Sequence, residues 1–178
     1  DSNKNMITSK DGNVSRSSDN GVTWEKLTGL NISSPIVVNV TSGDVIFFSK
    51  VGKLYRSEPP YSSYSEVLDI RVGYTGCYIL STSMVEHPDG DLFLGSYQLE
   101  RVVRLYKSTD GGLTWVLIYN VPNTYQHVHN MFIDLNATPV AIYAGVDGGG
   151  GVIKSIDKGV TWVDLKSLNP NIPQSTDY

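Results

Sequence analysis

The sequence predicts an all-β fold built from repeated units of about four strands. Three observations carry this. Short alternating or apolar runs recur along the chain with turn residues between them. No long segment shows a capped 3.6-residue period, so almost no helix is expected. One eight-residue pattern also returns three times at long intervals.

The pattern is S-x-D-x-G-x-T-W. It stands at Ser17, Asp19, Gly21, Thr23 and Trp24, at Ser108, Asp110, Gly112, Thr114 and Trp115, and at Ser155, Asp157, Gly159, Thr161 and Trp162. A worn copy follows Leu54-Tyr55-Arg56-Ser57. It keeps the serine and places Tyr64 where the others have Trp, but it lacks the Asp and the Gly. The four serines, Ser17, Ser57, Ser108 and Ser155, are 40, 51 and 47 residues apart, the period of one four-stranded propeller blade.

The residue types suit a self-contained strand–turn–strand staple. Asp at a turn accepts hydrogen bonds from backbone N–H groups just ahead of it. Gly two residues later takes positive φ without Cβ strain. Ser and Thr hydroxyls satisfy further turn groups, and Trp folds a large apolar ring over the hairpin. Repetition argues against catalysis by Asp19, Asp110 or Asp157, since one active site would not recur three times. These residues closely resemble the Asp-box, or BNR, repeat of sialidase-like β-propellers. The resemblance covers nearly the whole chain and implies that each box lies on the turn between the third and fourth strand of a blade, far from the active face.

The strands sort into four blades within one unit, 1–178. Blade one holds Met6–Lys10, Val14–Ser17 and Trp24–Thr28. Blade two holds Ile36–Val40, Val45–Ser49, Lys53–Ser57 and Glu66–Ile70. Blade three holds Tyr78–Val85, Leu92–Tyr97, Arg104–Ser108 and Trp115–Asn120, and blade four holds Val128–Asp134, Val140–Val146, Val152–Ser155 and Trp162–Leu165. Blade one lacks an innermost strand. The sialidase-like family closes with six blades, and an open fan leaves exposed edges. The expectation is therefore a fragment of a propeller of six or more blades. A propeller closed by another chain and a compact four-bladed ring are the alternatives. The start at Asp1, with neither Met nor a leader, fits a piece of a longer protein.

Composition narrows the partners. A net charge of −4 is not a nucleic-acid footprint. No apolar run approaches the ~18 residues of a membrane span. Eleven tyrosines argue against disorder. The single cysteine, Cys77, reads as a small buried hydrophobe at the start of a strand.

Within a blade, alternate loops fall on opposite faces. Boxes share one face; second-to-third-strand loops and interblade loops share the other, which the resemblance implies is the active one. The ligand-binding candidates there are Arg71, Tyr74, Glu100, Arg101, Tyr125 and His127, with Tyr97, Gln98 and Asp147 in the same loops. Arg forks onto carboxylates and aromatic faces pack on rings. His127-Val128-His129 puts two imidazoles on one strand face, but no third ligand stands at a metal-binding spacing, so no metal and no cofactor is expected. Asp147-Gly-Gly-Gly-Gly151 precedes a strand rather than a helix, which argues for a hairpin tip over a phosphate cradle. Arg16, Arg56, Lys107 and Lys154 each precede a box serine and read as a shared structural position that pairs with a neighbouring blade. Sialidase catalysis uses three arginines, a Tyr–Glu pair and an Asp. No spacing here matches, so no catalytic role is carried over. Three functions stay open: a glycan- or protein-recognition scaffold, part of a secreted glycoside hydrolase with catalytic residues partly outside this chain, or a purely structural interaction propeller. The expected setting is secreted or cell-surface.

Overall fold

The computed structural model describes residues 6–10, 13–28, 34–37, 45–59, 61–71, 76–98, 103–122, 125–147 and 151–168. Met6–Lys10 (β1), Asn13–Ser17 (β2) and Glu25–Thr28 (β3) form sheet one in the order β1-β2-β3. Ser34–Val37 (β4), Ile46–Lys50 (β5), Lys53–Ser57 (β6) and Ser65–Asp69 (β7) form sheet two in sequence order. Cys77–Tyr78 (β8), Met84–Glu86 (β9), Leu92–Gly95 (β10), Tyr97–Gln98 (β11), Arg104–Ser108 (β12) and Val116–Asn120 (β13) supply sheet three, ordered β9-β10-β12-β13, and a separate ribbon, β8-β11. Val128–Asp134 (β14), Ala141–Val146 (β15), Gly151–Ser155 (β16) and Val163–Asp164 (β17) form sheet four. Every strand pairing is antiparallel.

The sheets meet face to face in chain order, because strand side chains alternate between faces. In β5, Phe48 joins Val14, Ile46 and Tyr61 toward sheet one, while Phe47 joins Leu54, Leu92, Leu94 and Tyr106 toward sheet three. In β10, Leu92 and Leu94 point back to sheet two, and Phe93 points on to Val128, Ile142 and Ile153 of sheet four. Burial on both faces explains why Ile46-Phe47-Phe48 and Leu92-Phe93-Leu94 read as continuous apolar runs.

Three strands of the sequence map differ from the structure. The run Tyr78–Val85 breaks into β8 and β9. Ser83 turns the chain, with its N–H and its hydroxyl both donating to the Leu80 carbonyl, at 3.1 and 2.9 Å; such local bonds compete with a ladder. The run Leu92–Tyr97 breaks at Ser96, whose hydroxyl accepts the Arg104 N–H at 2.9 Å. The run Trp162–Leu165 shrinks to β17, because Asp164 caps a one-turn helix, Leu165–Leu168 (α1), by accepting the Lys166 N–H at 2.9 Å. Of Ile36–Val40, residues 38–40 lie outside the described residues.

The three repeat turns share one geometry. The Ser hydroxyl donates to one Asp oxygen at 2.7–2.8 Å and accepts the Gly N–H at 2.8–2.9 Å. That Asp oxygen accepts the Thr N–H at 2.8–2.9 Å, and the other accepts the Thr hydroxyl at 2.5–2.6 Å. The indole N–H donates to the Gly carbonyl at 3.0–3.2 Å. The Gly takes φ of +88, +83 and +83° at Gly21, Gly112 and Gly159. In the worn copy Tyr61 stands at the Gly position, keeps φ at +64° and is buried, while Ser57 donates instead to the Ser63 carbonyl at 2.7 Å. A second repeated feature is absent from any sequence motif. A bulge falls three residues before the serine in three sheets, between Val14 and Ser15, Leu54 and Tyr55, and Leu105 and Tyr106.

At Arg16, Arg56 and Lys107 the basic position before the serine joins sheets, whereas the Lys154 ammonium lies over Tyr143 of its own sheet. Arg56 Nε donates to the Gly111 carbonyl of the next sheet's turn at 2.8 Å. Lys107 reaches the Lys158 carbonyl of the turn after that at 3.5 Å. Arg16 lies 5.8 Å from the centroid of the Tyr61 ring. In the same layer Asp89 bridges His87, at 2.6 Å, and Lys158.

Two outcomes follow. Trp115 is half-buried beneath Phe47, so Trp115→Ala is expected to cost roughly 2–3 kcal/mol in chemical denaturation, below the ~3–5 of a fully buried indole. Hydrogen bonds from Thr23 and Thr161 hold Asp19 and Asp157 at about 2; at Asp110 burial pushes upward, and the Thr114 and Ser108 bonds outweigh it, again giving about 2. A depressed folded pKa contributes stability above the unfolded value of ~3.9 and loses it as protons bind below. The melting temperature is therefore expected to hold down to about pH 5 and to fall between about pH 4 and pH 2; an unchanged melting temperature across that window would contradict these turns.

Candidate functional site

The His87–Asp91 turn touches Lys158, which puts first-to-second-strand turns and repeat turns at one end of the stack. The other end carries Arg71, the β8-β11 ribbon, His127 and Asp147. Here strand segments of sheets three and four meet directly. Tyr97 bridges His127 backbone to backbone, and the Val128 N–H donates to the Ser96 carbonyl at 3.1 Å. Gly95 permits this approach, since a Cβ there would lie 2.4 Å from Val128 Cγ1.

The contact assembles four rings. His127 stacks flat on Tyr97 with centroids 3.9 Å apart and planes 6° from parallel. Tyr78 meets Tyr97 edge-on at 6.3 Å, and His129 does so at 5.4 Å. His127 is buried, and its Nδ1 lies 3.0 Å from the Gln98 carbonyl. His129 is exposed, with Nε2 3.3 Å from Asp147 Oδ2. Tyr78 is 41% exposed. Both imidazoles thus have protein partners rather than a shared empty centre, and among the described residues no three metal-ligating side chains gather.

Arg71 stands at the same end, locked to Asp69: Nε to Oδ1 at 2.8 Å and Nη2 to Oδ2 at 2.5 Å. Those bonds hold Asp69 at about 2, and they raise Arg71. Gln98, in the ribbon itself, is buried; its Nε2 donates to the Ile70 carbonyl at 3.4 Å. Tyr125 is buried in the core between sheets three and four and donates its hydroxyl to Asp164. Burial, and then the Asp164 carboxylate, push that hydroxyl's pKa upward, so it stays a neutral donor. Tyr74, Glu100 and Arg101 lie outside the described residues.

Of the sequence candidates, the structure brings His127 together with Tyr97 and Asp147, and sets Tyr125 inside the core. Sequence reasoning missed Tyr78; it paired His129 with His127 on one strand face, and the structure leaves His129 exposed and His127 buried. The only sequence signal for Tyr78 was its place beside Cys77, inside what read as one long strand.

No protein-family model matches the chain. It is similar to the xyloglucanase Xgh74A of Acetivibrio thermocellus, with 29% identity over 151 residues, which is 76% of this chain and 18% of that protein. The chain thus spans under a fifth of that relative. Among solved structures it resembles a chain of a nidogen/laminin complex, with TM-score 0.59 and 13% identity over 86% of this chain and 56% of that one. It also resembles the intramolecular trans-sialidase of Ruminococcus gnavus, with TM-score 0.52 and 15% identity over 85% of this chain and 38% of that one. At these identities the likeness concerns the fold: an all-β arrangement of small antiparallel sheets.

Tyr125→Phe leaves Asp164 without its hydroxyl partner. It is expected to cost about 1.5–3 kcal/mol in denaturant unfolding, the range for hydrogen bonds to a charged group. A loss under a few tenths would mean that the pair is not formed.

Proposed function

We propose that residues 1–178 form one run of about four Asp-box blades of a sialidase-like propeller, and that this run recognises a glycan at the end opposite the boxes. The carrying observation is the ring cluster of Tyr78, Tyr97, His127 and His129 beside Asp147. Exposed aromatic surface covers the apolar face of a sugar ring. A carboxylate and an imidazole supply acceptors and a donor for hydroxyl groups. Buried His127 fixes the ring of Tyr97, so the platform is ordered before a ligand arrives, which lowers the entropy cost of binding. Arg71 stands at the same end of the stack, and the sequence candidates Tyr74, Glu100 and Arg101 are part of the proposal as residues to test. The box turns, whose polar groups are bonded to one another, offer little to a ligand.

The similarity to a xyloglucanase supports a second reading, in which the chain belongs to a longer glycan-cleaving protein. Both readings imply an extracellular setting, and no helix among the described residues is long and apolar enough to cross a membrane.

A glycan array followed by titration calorimetry tests the proposal. Tyr78→Ala is expected to weaken glycan binding about tenfold, equivalent to about 1.4 kcal/mol, while Asp110→Asn leaves the affinity of the folded protein unchanged. Ligand protection centred on Asp19, Asp110 or Asp157 would overturn the assignment.

A further inference from the structure

The worn turn of sheet two departs from the three intact turns in a way that leaves a hollow. Pro59 stands where they have the aspartate, and Ser63 where they have the threonine. The carboxylate that ties an intact turn together is therefore missing. Ser57 donates instead to the Ser63 carbonyl at 2.7 Å. Tyr61, at the glycine position, is buried with Val14, Ile46 and Phe48 and does not take the place of the carboxylate. One backbone bond spans the turn, from the Tyr61 N–H to the Glu58 carbonyl at 2.7 Å. What remains is a cavity of about 270 Å³ lined by Arg56, Glu58, Pro59, Ser62, Ser63 and Tyr64. It lies within the turn itself, on a sheet packed on both faces. The bond from Arg56 to the Gly111 carbonyl puts it at the repeat-turn end of the stack.

The lining is polar and its charges are balanced. Arg56 supplies a buried cation, with its side chain 9% exposed. Its Nη1 meets Glu58 Oε1 at 2.6 Å, and its Nε donates to Gly111 at 2.8 Å. A guanidinium carries five N–H donors, and these partners use two of them. Glu58 is exposed and brings acceptor oxygens to the same cavity, while Ser62 and Ser63 bring hydroxyls that both donate and accept. Tyr64 is 45% exposed and is held edge-on by Tyr55, with ring centroids 5.8 Å apart.

We infer that this cavity binds one neutral sugar ring, as a second glycan site at the repeat-turn end. An anion drawn to Arg56 would meet the Glu58 carboxylate paired with it, and a cation drawn to Glu58 would meet the guanidinium. Neighbouring hydroxyl groups of a sugar suit that pair, since one accepts from the arginine while the next donates to the glutamate. The Tyr64 ring covers the apolar face of the sugar. The volume is just under the ~300 Å³ at which drug-sized ligand sites begin, which fits one ring rather than an extended chain. The ring cluster of Tyr78, Tyr97, His127 and His129 lies at the opposite end, and neither site depends on the other.

Backbone amide NMR shifts of the 178-residue chain, titrated with methyl glucoside, methyl galactoside and inorganic phosphate, test this. At least one glycoside is expected to move the amides of Ser62, Ser63 and Tyr64 saturably in the millimolar range, and phosphate to leave them in place. Tyr64→Ala and Glu58→Gln, both on exposed side chains, should each weaken that binding about fivefold or more, equivalent to about 1 kcal/mol. Glu58→Gln carries the test alone if circular dichroism shows the tyrosine variant unfolded. Tyr78→Ala should leave these shifts unchanged, which separates this site from the ring cluster. No saturable shift with either glycoside, shifts driven by phosphate, a folded variant of Tyr64 or Glu58 that binds like wild type, or shifts lost with Tyr78→Ala would each overturn the inference.

Discussion

One hydrogen-bonded unit underlies the rest of the structure: a serine hydroxyl that donates to an aspartate and accepts a glycine N–H. It closes the third strand onto the fourth. It also presents a glycine with no side chain to the face of the preceding sheet. Because that glycine is bare, an aromatic of the earlier sheet can lie against the turn, as Phe47 does at Gly112 and Phe93 near Gly159. Because the next residue back is left-handed, a cation from the same earlier strand pair can reach its carbonyl. Local turn chemistry and sheet-to-sheet packing are thus set by the same few atoms.

This division accounts for what was legible. The repeat turns lie within eight consecutive residues, so composition and spacing were enough to read them, and the strands around them followed. The cation before each serine was also readable as a structural position, because it recurs; Arg56 and Lys107 show what it does. Less local features were not readable. Ser83 and Ser96 break two apparent strands through bonds to Leu80 and Arg104, and nothing in an apolar alternation announces that. The aromatic cluster depends on those breaks. Only when β8 and β11 leave sheet three can Tyr78, Tyr97 and His127, 19 and 30 residues apart in sequence, come together. Tyr125 shows the converse. Its position in an interblade loop was readable, but its burial was not, since that comes from packing between sheets three and four, and its hydroxyl's partner, Asp164, lies almost forty residues later.

The two ends of the stack therefore differ in kind. At the repeat-turn end, polar groups are paired within a turn or with the adjacent sheet: Asp89 with His87 and Lys158, Lys107 with Asp91, Arg56 with Gly111. At the other end, direct contact between sheets three and four leaves Tyr78 and His129 exposed beside the stacked Tyr97 and His127 rings. The proposed recognition site uses the end that carries the exposed rings, since binding residues commonly sit on loops held by a packed scaffold.

Amide hydrogen exchange at Gly112 and Gly159 tests the central claim most directly. Each N–H is committed to a serine hydroxyl inside a joint between sheets. The account predicts protection factors at these two turn glycines comparable to those of the β10 and β15 strand amides. Exchange at the rate of an unprotected loop would contradict it, because the turn would then be neither closed by its serine nor covered by the preceding sheet.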